Sequence, residues 1–323
     1  MIFLLQKTLI FATPLLLVAL AGMYAERSGI INIALEGFMV FGSFFGAIFV
    51  YNIQKNIGIQ NNQITYLIAM LVAAISGAVF SLLLSFSAIN LKAEQTIGGT
   101  AINMLAPAVA LFFIKVIFMQ DKLVMPKDIG FVILNPELPD VLRIFFDKAY
   151  ISTFIALIIF IILSFIMWKT RFGLRLRACG EHPQAAASVG INVNKMRYIG
   201  VMISGALGAL GGYIYIATVA GGTCDGSVAG TGFLALAIMI FGNWKPGGIF
   251  IGAIIFGLLK CLASVYTMLD LNGDGKFLLK DIGLPMYFYN LIPYVVVLIV
   301  LILTSKKSRA PKAEGIPYDK GAR

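Results

Sequence analysis

The chain has 323 residues, 59% of them apolar and 12% charged, and its 25 Lys and Arg against 15 Asp and Glu leave a formal net charge of +10. Soluble domains carry about 25% charged residues, so this composition excludes a soluble globular protein and indicates one polytopic membrane domain. Strand-sized alternation is absent, which excludes an outer-membrane barrel, and the basic residues gather beside apolar runs, as an orientation signal does and a nucleic-acid surface does not.

Nine apolar runs follow in chain order, at about 8–24, 29–51, 65–90, 96–119, 149–168, 196–217, 230–242, 247–268 and 285–304. The first has Lys7 before it and Ala19-Leu20-Ala21 near its end, the outline of a signal peptide. With so many spans behind it, it reads as a retained first helix. The second run places Asn32 and Glu36 one turn apart on one helix face, and the fourth carries Gln95, Thr100 and Asn103 as a polar stripe. Facing lipid would be costly for these groups, so Asn32, Glu36, Gln95, Thr100 and Asn103 are the candidate lining of a route across the membrane. The ionisable residues within the runs are Glu36, Lys115 and Lys260. Lys115 lies near a helix end and can reach the interface, and a Glu36–Lys260 ion pair is one way to satisfy the other two.

The seventh run is short and follows a Gly-rich stretch, residues 220–232, which suggests a half-helix entering from a re-entrant loop. Gly42 with Gly46, and Gly208 with Gly212, have the spacing that lets helices approach closely. Segment 169–195 and tail 305–323 hold most of the clustered Lys and Arg and are expected on the cytoplasmic side. The division is therefore a transmembrane domain, 1–304, with a central cytoplasmic loop at 169–195, and a basic tail, 305–323. Tracing back through an outer loop at 120–148 leaves the N-terminus outside unless one more half-span exists.

Site chemistry is sparse. Cys179, Cys224 and Cys261 have no metal-binding or disulfide spacing. The single histidine, His182, lies in the central loop, so a nucleophile–base pair within the membrane is missing. No GxxxxGK[ST] is present to cradle a phosphate. No catalytic residue and no cofactor are expected. Asp270, Asn272 and Asp274, with Gly275, have the spacing of a calcium loop, but the twelfth position is Asp281 and not glutamate; a solvated loop is the preferred reading.

Four separated stretches then carry a resemblance: ERSGIINIALEG (26–37), LRACGEHPQAAASVGINVNKMRYIGVMISGALGALGG (176–212), FGNWKPGGIFIGAIIFG (241–257) and APKAEGIPYDK (310–320). Together they resemble ABC importer permeases of the nucleoside and simple-sugar type, within the ribose and branched-chain amino acid permease superfamily. The chain looks like the shorter of the two permeases in such nucleoside systems. The resemblance implies an all-α fold of about ten helices, an extracytoplasmic binding protein that delivers a small neutral solute, and cytoplasmic ATPase subunits docked on a coupling helix. Glu181, His182, Pro183, Ala185, Ala186 and Gly190 match the family pattern at that loop. It also implies a second, related permease as partner, with the glycine seams as close-packing surfaces, in the bacterial cytoplasmic membrane. Nucleosides are the first substrate reading, with riboflavin and ribose-like sugars as alternatives within the family and a passive channel as an alternative of another class.

Overall fold

The computed structural model describes residues 2–58, 63–125, 129–132, 149–266, 285–304, 309–319 and 321; the stretch bearing Asp270, Asn272 and Asp274 lies outside them. Its helices are α1 (Ile2–Glu26), α2 (Leu35–Ile57), α3 (Gln63–Ser85, running into a π-turn, Phe86–Asn90), α4 (Gln95–Phe118) and α5 (Ile151–Lys169). They continue with α6 (Arg171–Glu181), α7 (Pro183–Ser188), α8 (Val193–Thr218), α9 (Thr231–Phe241), α10 (Pro246–Val265) and α11 (Met286–Thr304). Two short antiparallel pairs accompany them: β1 (Leu123–Val124) with β4 (Thr223–Cys224), and β2 (Phe131–Val132) with β3 (Ala149–Tyr150).

Local chemistry explains several of the boundaries. Glu94 accepts from the amides of Thr96 and Ile97 at the start of α4, and Asn192 accepts from Lys195 N at 3.0 Å at the start of α8. Pro183 and Pro246 occupy first turns, where their missing N–H costs nothing. Gly58 closes α2 in the left-handed region.

Among the described residues, seven helices are long and apolar enough to cross a membrane: α1 to α5, α8 and α10. Two shorter apolar stretches, Thr231–Phe241 of α9 and Tyr287–Val300 of α11, accompany them. The sequence reading counts nine spans and the resemblance about ten. Against the nine runs, the difference lies in α9 and α11, whose apolar stretches are the shorter ones; the 11 residues of α9 rise only about 16 Å, near half of a hydrocarbon core of roughly 30 Å.

The centre of the bundle is α8, packed at once against α1, α2 and α3. Small residues make this approach feasible. A Cβ at Gly212 would stand 2.0 Å from Met39 O, and one at Gly42 would stand 2.3 Å from Ala209 O. Both glycine pairs are therefore consumed inside the chain, by the α2–α8 contact. This corrects their assignment to a seam with a second permease: a surface already filled by the chain's own backbone offers nothing to another molecule. By contrast, α4 and α5 turn large apolar side chains outward, among them Met104, Phe112, Ile161 and Phe165. Such faces suit lipid or another apolar surface.

α1 is almost wholly buried against α8, α9 and α10. Its last residue, Glu26, meets Trp244 in the turn between α9 and α10, while Cys261 near the far end of α10 approaches Leu4 O at 3.8 Å. The start of α1 thus lies at the opposite end of the bundle from the basic segments.

Candidate functional site

Two helices begin late. α1 ends at Glu26 and α2 starts only at Leu35, so 27–34 leaves the helix through turn bonds at 27–30 and then runs irregularly; α9 starts only at Thr231, after the largely irregular 219–230. Backbone of this kind must find its partners inside the protein when it lies at membrane depth. The polar side chains flagged in the sequence supply many of them. Gln95 Oε1 accepts from Ile31 N at 2.7 Å, and Asn32 Oδ1 accepts from Ala34 N at 3.1 Å while its Nδ2 donates to Ser204 Oγ at 2.7 Å. Asn103 clamps the same segment, accepting from Gly37 N at 2.7 Å and donating to Ile33 O at 2.9 Å.

Glu36 joins the two breaks. Its carboxylate accepts from Gly230 N at 2.9 Å and Gly232 N at 2.6 Å, the free amides at the start of α9. Unpaired amides and the positive end of a helix dipole favour an anion there. Lys260 is not its ion-pair partner, which corrects that expectation: Lys260 Nζ donates to Tyr294 Oη at 3.1 Å and stands 4.9 Å from the centre of that ring. Lys115 pairs instead with Asp121 at 3.3 Å, at the helix end where it was expected to reach out. Thr100 stands apart from the other four residues, exposed, with its hydroxyl bonded to Ile97 O of its own helix.

At the basic end of the bundle, α6 and α7 form the central loop. Pro183 and Ala186 are buried beneath it, whereas His182, Ala185 and Gly190 are exposed, Gly190 with φ +84°. Glu181 is half-buried and reaches Arg27 at 3.5 Å. The tail returns to brace this loop. Ala313 N donates to Gly180 O at 2.8 Å, Gly315 N to Gly29 O at 3.2 Å, and Arg309 N to Asn243 Oδ1 at 2.8 Å. Arg197 is 1% exposed and donates through Nη1 to Ile316 O at 3.0 Å, and Lys92 pairs with Asp319 at 3.2 Å. Beneath the tail, Trp244 Nε1 donates to Glu26 Oε2 at 2.6 Å, and the Trp244 carbonyl accepts from the Arg27 guanidinium at 3.1 Å. The Glu314 carboxyl hydrogen-bonds that of Glu26, and burial pushes it above the usual carboxylate range despite the nearby Arg27.

Sequence reasoning passed over Glu26, Arg27, Arg197 and Asp225. The first three stand at the ends of apolar runs, where charged residues are ordinary, and Asp225 stands in a Gly-rich loop. Their sequence signal is local: Glu26, Arg27 and Arg197 lie within the stretches that carried the family resemblance, and Asp225 does not.

The fold and these sites define a multi-pass helical membrane permease, built around two broken helices and a braced loop at its basic end. Residues 4–303 match the family described as branched-chain amino acid transport system / permease component, and the chain belongs to that family. It is a transport component and not an enzyme. It is 40% identical to the guanosine ABC transporter permease protein NupQ of Bacillus subtilis, over 98% of this chain and 96% of that one. It is 38% identical to the nucleoside ABC transporter permease protein NupC of Lactococcus lactis, over 97% and 95% of the two chains. A more distant likeness, 25% over 77% of this chain and 70% of the other, is to the guanosine ABC transporter permease protein NupP of Bacillus subtilis. No solved structure matches.

Proposed function

We propose that this chain is the transmembrane permease subunit of an ATP-driven importer that moves nucleosides inward across the bacterial cytoplasmic membrane. The carrying observation is the likeness, over nearly the whole of both chains, to two permeases named for guanosine and for nucleosides. ATP hydrolysis then takes place on separate cytoplasmic subunits, and an extracytoplasmic binding protein delivers the solute. The exposed residues of the loop, His182, Ala185 and Gly190, meet the ATPase. Pro183 and Ala186 seat the short helix beneath them, and Glu181 ties it to Arg27.

A second, related permease completes the route. In support, Bacillus subtilis holds two unlike permeases with guanosine in their names, and this chain resembles one far more closely than the other. The route runs along the two breaks. Asn32, Glu36, Gln95 and Asn103 shape its wall from behind, and Thr100 faces it. The test is ATP-dependent uptake of labelled guanosine by proteoliposomes that contain this chain, a second permease, the ATPase and the binding protein. Uptake is expected only with all four. Equal uptake without ATP would make the chain a channel, and uptake of riboflavin or ribose in place of guanosine would overturn the substrate.

A further inference from the structure

The residues first expected to line the route direct most of their polar atoms at their own backbone, so a passing solute must find other partners. Loop 219–230 and the helices beside it hold such groups. Asp225 is exposed, and its Oδ1 takes a hydrogen bond from the Ser227 amide at 3.1 Å, which leaves acceptor capacity on the carboxylate. Tyr294, 36% exposed, donates to Ala229 O at 3.3 Å in the same loop and receives a hydrogen bond from Lys260 Nζ. Asp225, Tyr294 and Glu36 all lie within electrostatic reach of Tyr215 on α8. The groups form one neighbourhood, drawn from four helices and the loop.

Its depth makes it unusual. Lys260 lies 14 residues beyond Pro246, about 21 Å up α10 from the basic end. Gly226 sits against Leu111, roughly 10 Å short of the far end of α4. A charged side chain facing lipid at such depth costs about 2.5–3.5 kcal/mol or more. Among the described residues, neither Asp225 nor Lys260 forms an ion pair that would offset this. An aqueous route removes the cost. Asp225 and Lys260 offset one another's charge, and the Glu36 carboxylate is met by the Gly230 and Gly232 amides, which suits a neutral solute.

We propose that Asp225, Lys260 and Tyr294 form a contact site for the solute on the Gly-rich break, with Asp225 accepting from the vicinal hydroxyls of a ribose and the tyrosine ring lying against the base. Lys260 orients the Tyr294 hydroxyl and donates to solute oxygens. The site rests on the reading of the chain as a nucleoside importer permease.

The test uses the complete four-component transporter in proteoliposomes, with guanosine and 2′,3′-dideoxyguanosine as probes. In the unaltered complex the diol-lacking probe is expected to move about tenfold more slowly, the order of one lost charged hydrogen bond. Asp225→Asn and Lys260→Met, at equal membrane abundance, are expected to slow guanosine by about tenfold, and Asp225→Asn should abolish the discrimination. ATP hydrolysis stimulated by the loaded binding protein should survive in both. Guanosine uptake within twofold of the unaltered complex, with discrimination intact, would overturn the site. If the unaltered complex moves no nucleoside, the functional reading fails, and the site is judged by labelling. Asp225→Cys and Lys260→Cys, with Cys179, Cys224 and Cys261 replaced, should react with a membrane-impermeant thiol reagent in a way that ATP alters. Silence with and without ATP overturns it, as does reaction that ATP leaves unchanged.

Discussion

At the basic end of the bundle, five separate chain segments meet: the α1–α2 connection, the turn before α4, the central loop, the α9–α10 turn and the tail. Charged and polar groups there close on one another, Arg27 with Glu181, Glu314 with Glu26, Lys92 with Asp319, and the outer faces of α6 and α7 are left open. Farther from that end, where Glu36 meets the start of α9, amides and side-chain acceptors close on one another in the same way, but Asp225 and Lys260 stay outside that closure. A rigid end beside a route with accessible polar groups is what a transport subunit needs if motion at the loop is to be felt along the route. A loosely held loop would absorb the motion instead of passing it on.

The sharpest way to break this contrast uses two glycines ten residues apart. A Cβ at Gly180 would fall 2.4 Å from Arg27 O, whereas one at Gly190 meets no atom within 4 Å and suffers only from φ +84°. Gly180→Val is expected to cost about 3 kcal/mol or more, because backbone atoms cannot yield, and to remove folded protein from the membrane. Gly190→Ala should cost about 1 kcal/mol, retain abundance, and show its effect as weaker ATPase binding. Quantitative blotting with ATPase pull-down separates the two outcomes; equal loss of abundance from both would mean that the loop is not braced where Gly180 meets Arg27.

At the breaks, Glu36→Ala strands the Gly230 and Gly232 amides and is expected to lower stability by about 2 kcal/mol. Glu36→Gln keeps one acceptor and should recover about half of that. Thermal unfolding in detergent measures both; equal melting of the two variants would sink the capping role. At the basic end, Arg197→Ala deletes the donor to Ile316 O, and trypsin should cleave after Lys312 about tenfold faster. Unchanged cleavage would mean that the tail is held without Arg197.

The smallest effect is one of pH. Burial raises the native pKa of Glu314 above its ordinary value of about 4.5, so the docked tail holds a proton that the released tail gives up. Docking is therefore strongest at and below pH 4.5, weakens as pH rises from there toward the raised native value, and levels off above it. Glu26 and Arg27 are the groups that face this carboxyl. Hydrogen exchange at Ala313 and Gly315, corrected for intrinsic rates, should be slower at pH 5 than at pH 8, and Glu314→Gln should flatten the difference. A steep profile that persists in the variant would assign the proton elsewhere.

Hydropathy alone located the apolar helices, because length and apolarity are properties of contiguous residues; each of the nine runs overlaps a helix, while the polar α6 and α7 lie in none of them. It also marked Asn32, Glu36, Gln95 and Asn103 as out of place in lipid. What these residues bind was illegible, since Glu36 meets Gly230 across 194 positions and Asn32 meets Ser204 across 172. The tail reads in sequence as a basic appendage, and its contacts with Gly29 and Gly180 depend on backbone amides that composition cannot reveal.

The residues in order therefore determined that this chain spans a membrane many times, which end is basic and which family motif lies in the central loop. Those are matters of local hydropathy, charge and short spacing. Only the tertiary structure decided that the glycine seams close within the chain, that Glu36 caps a half-helix and that Lys260 meets Tyr294 rather than Glu36. Each of these is settled by distances between residues far apart in the chain, and so by how the helices pack.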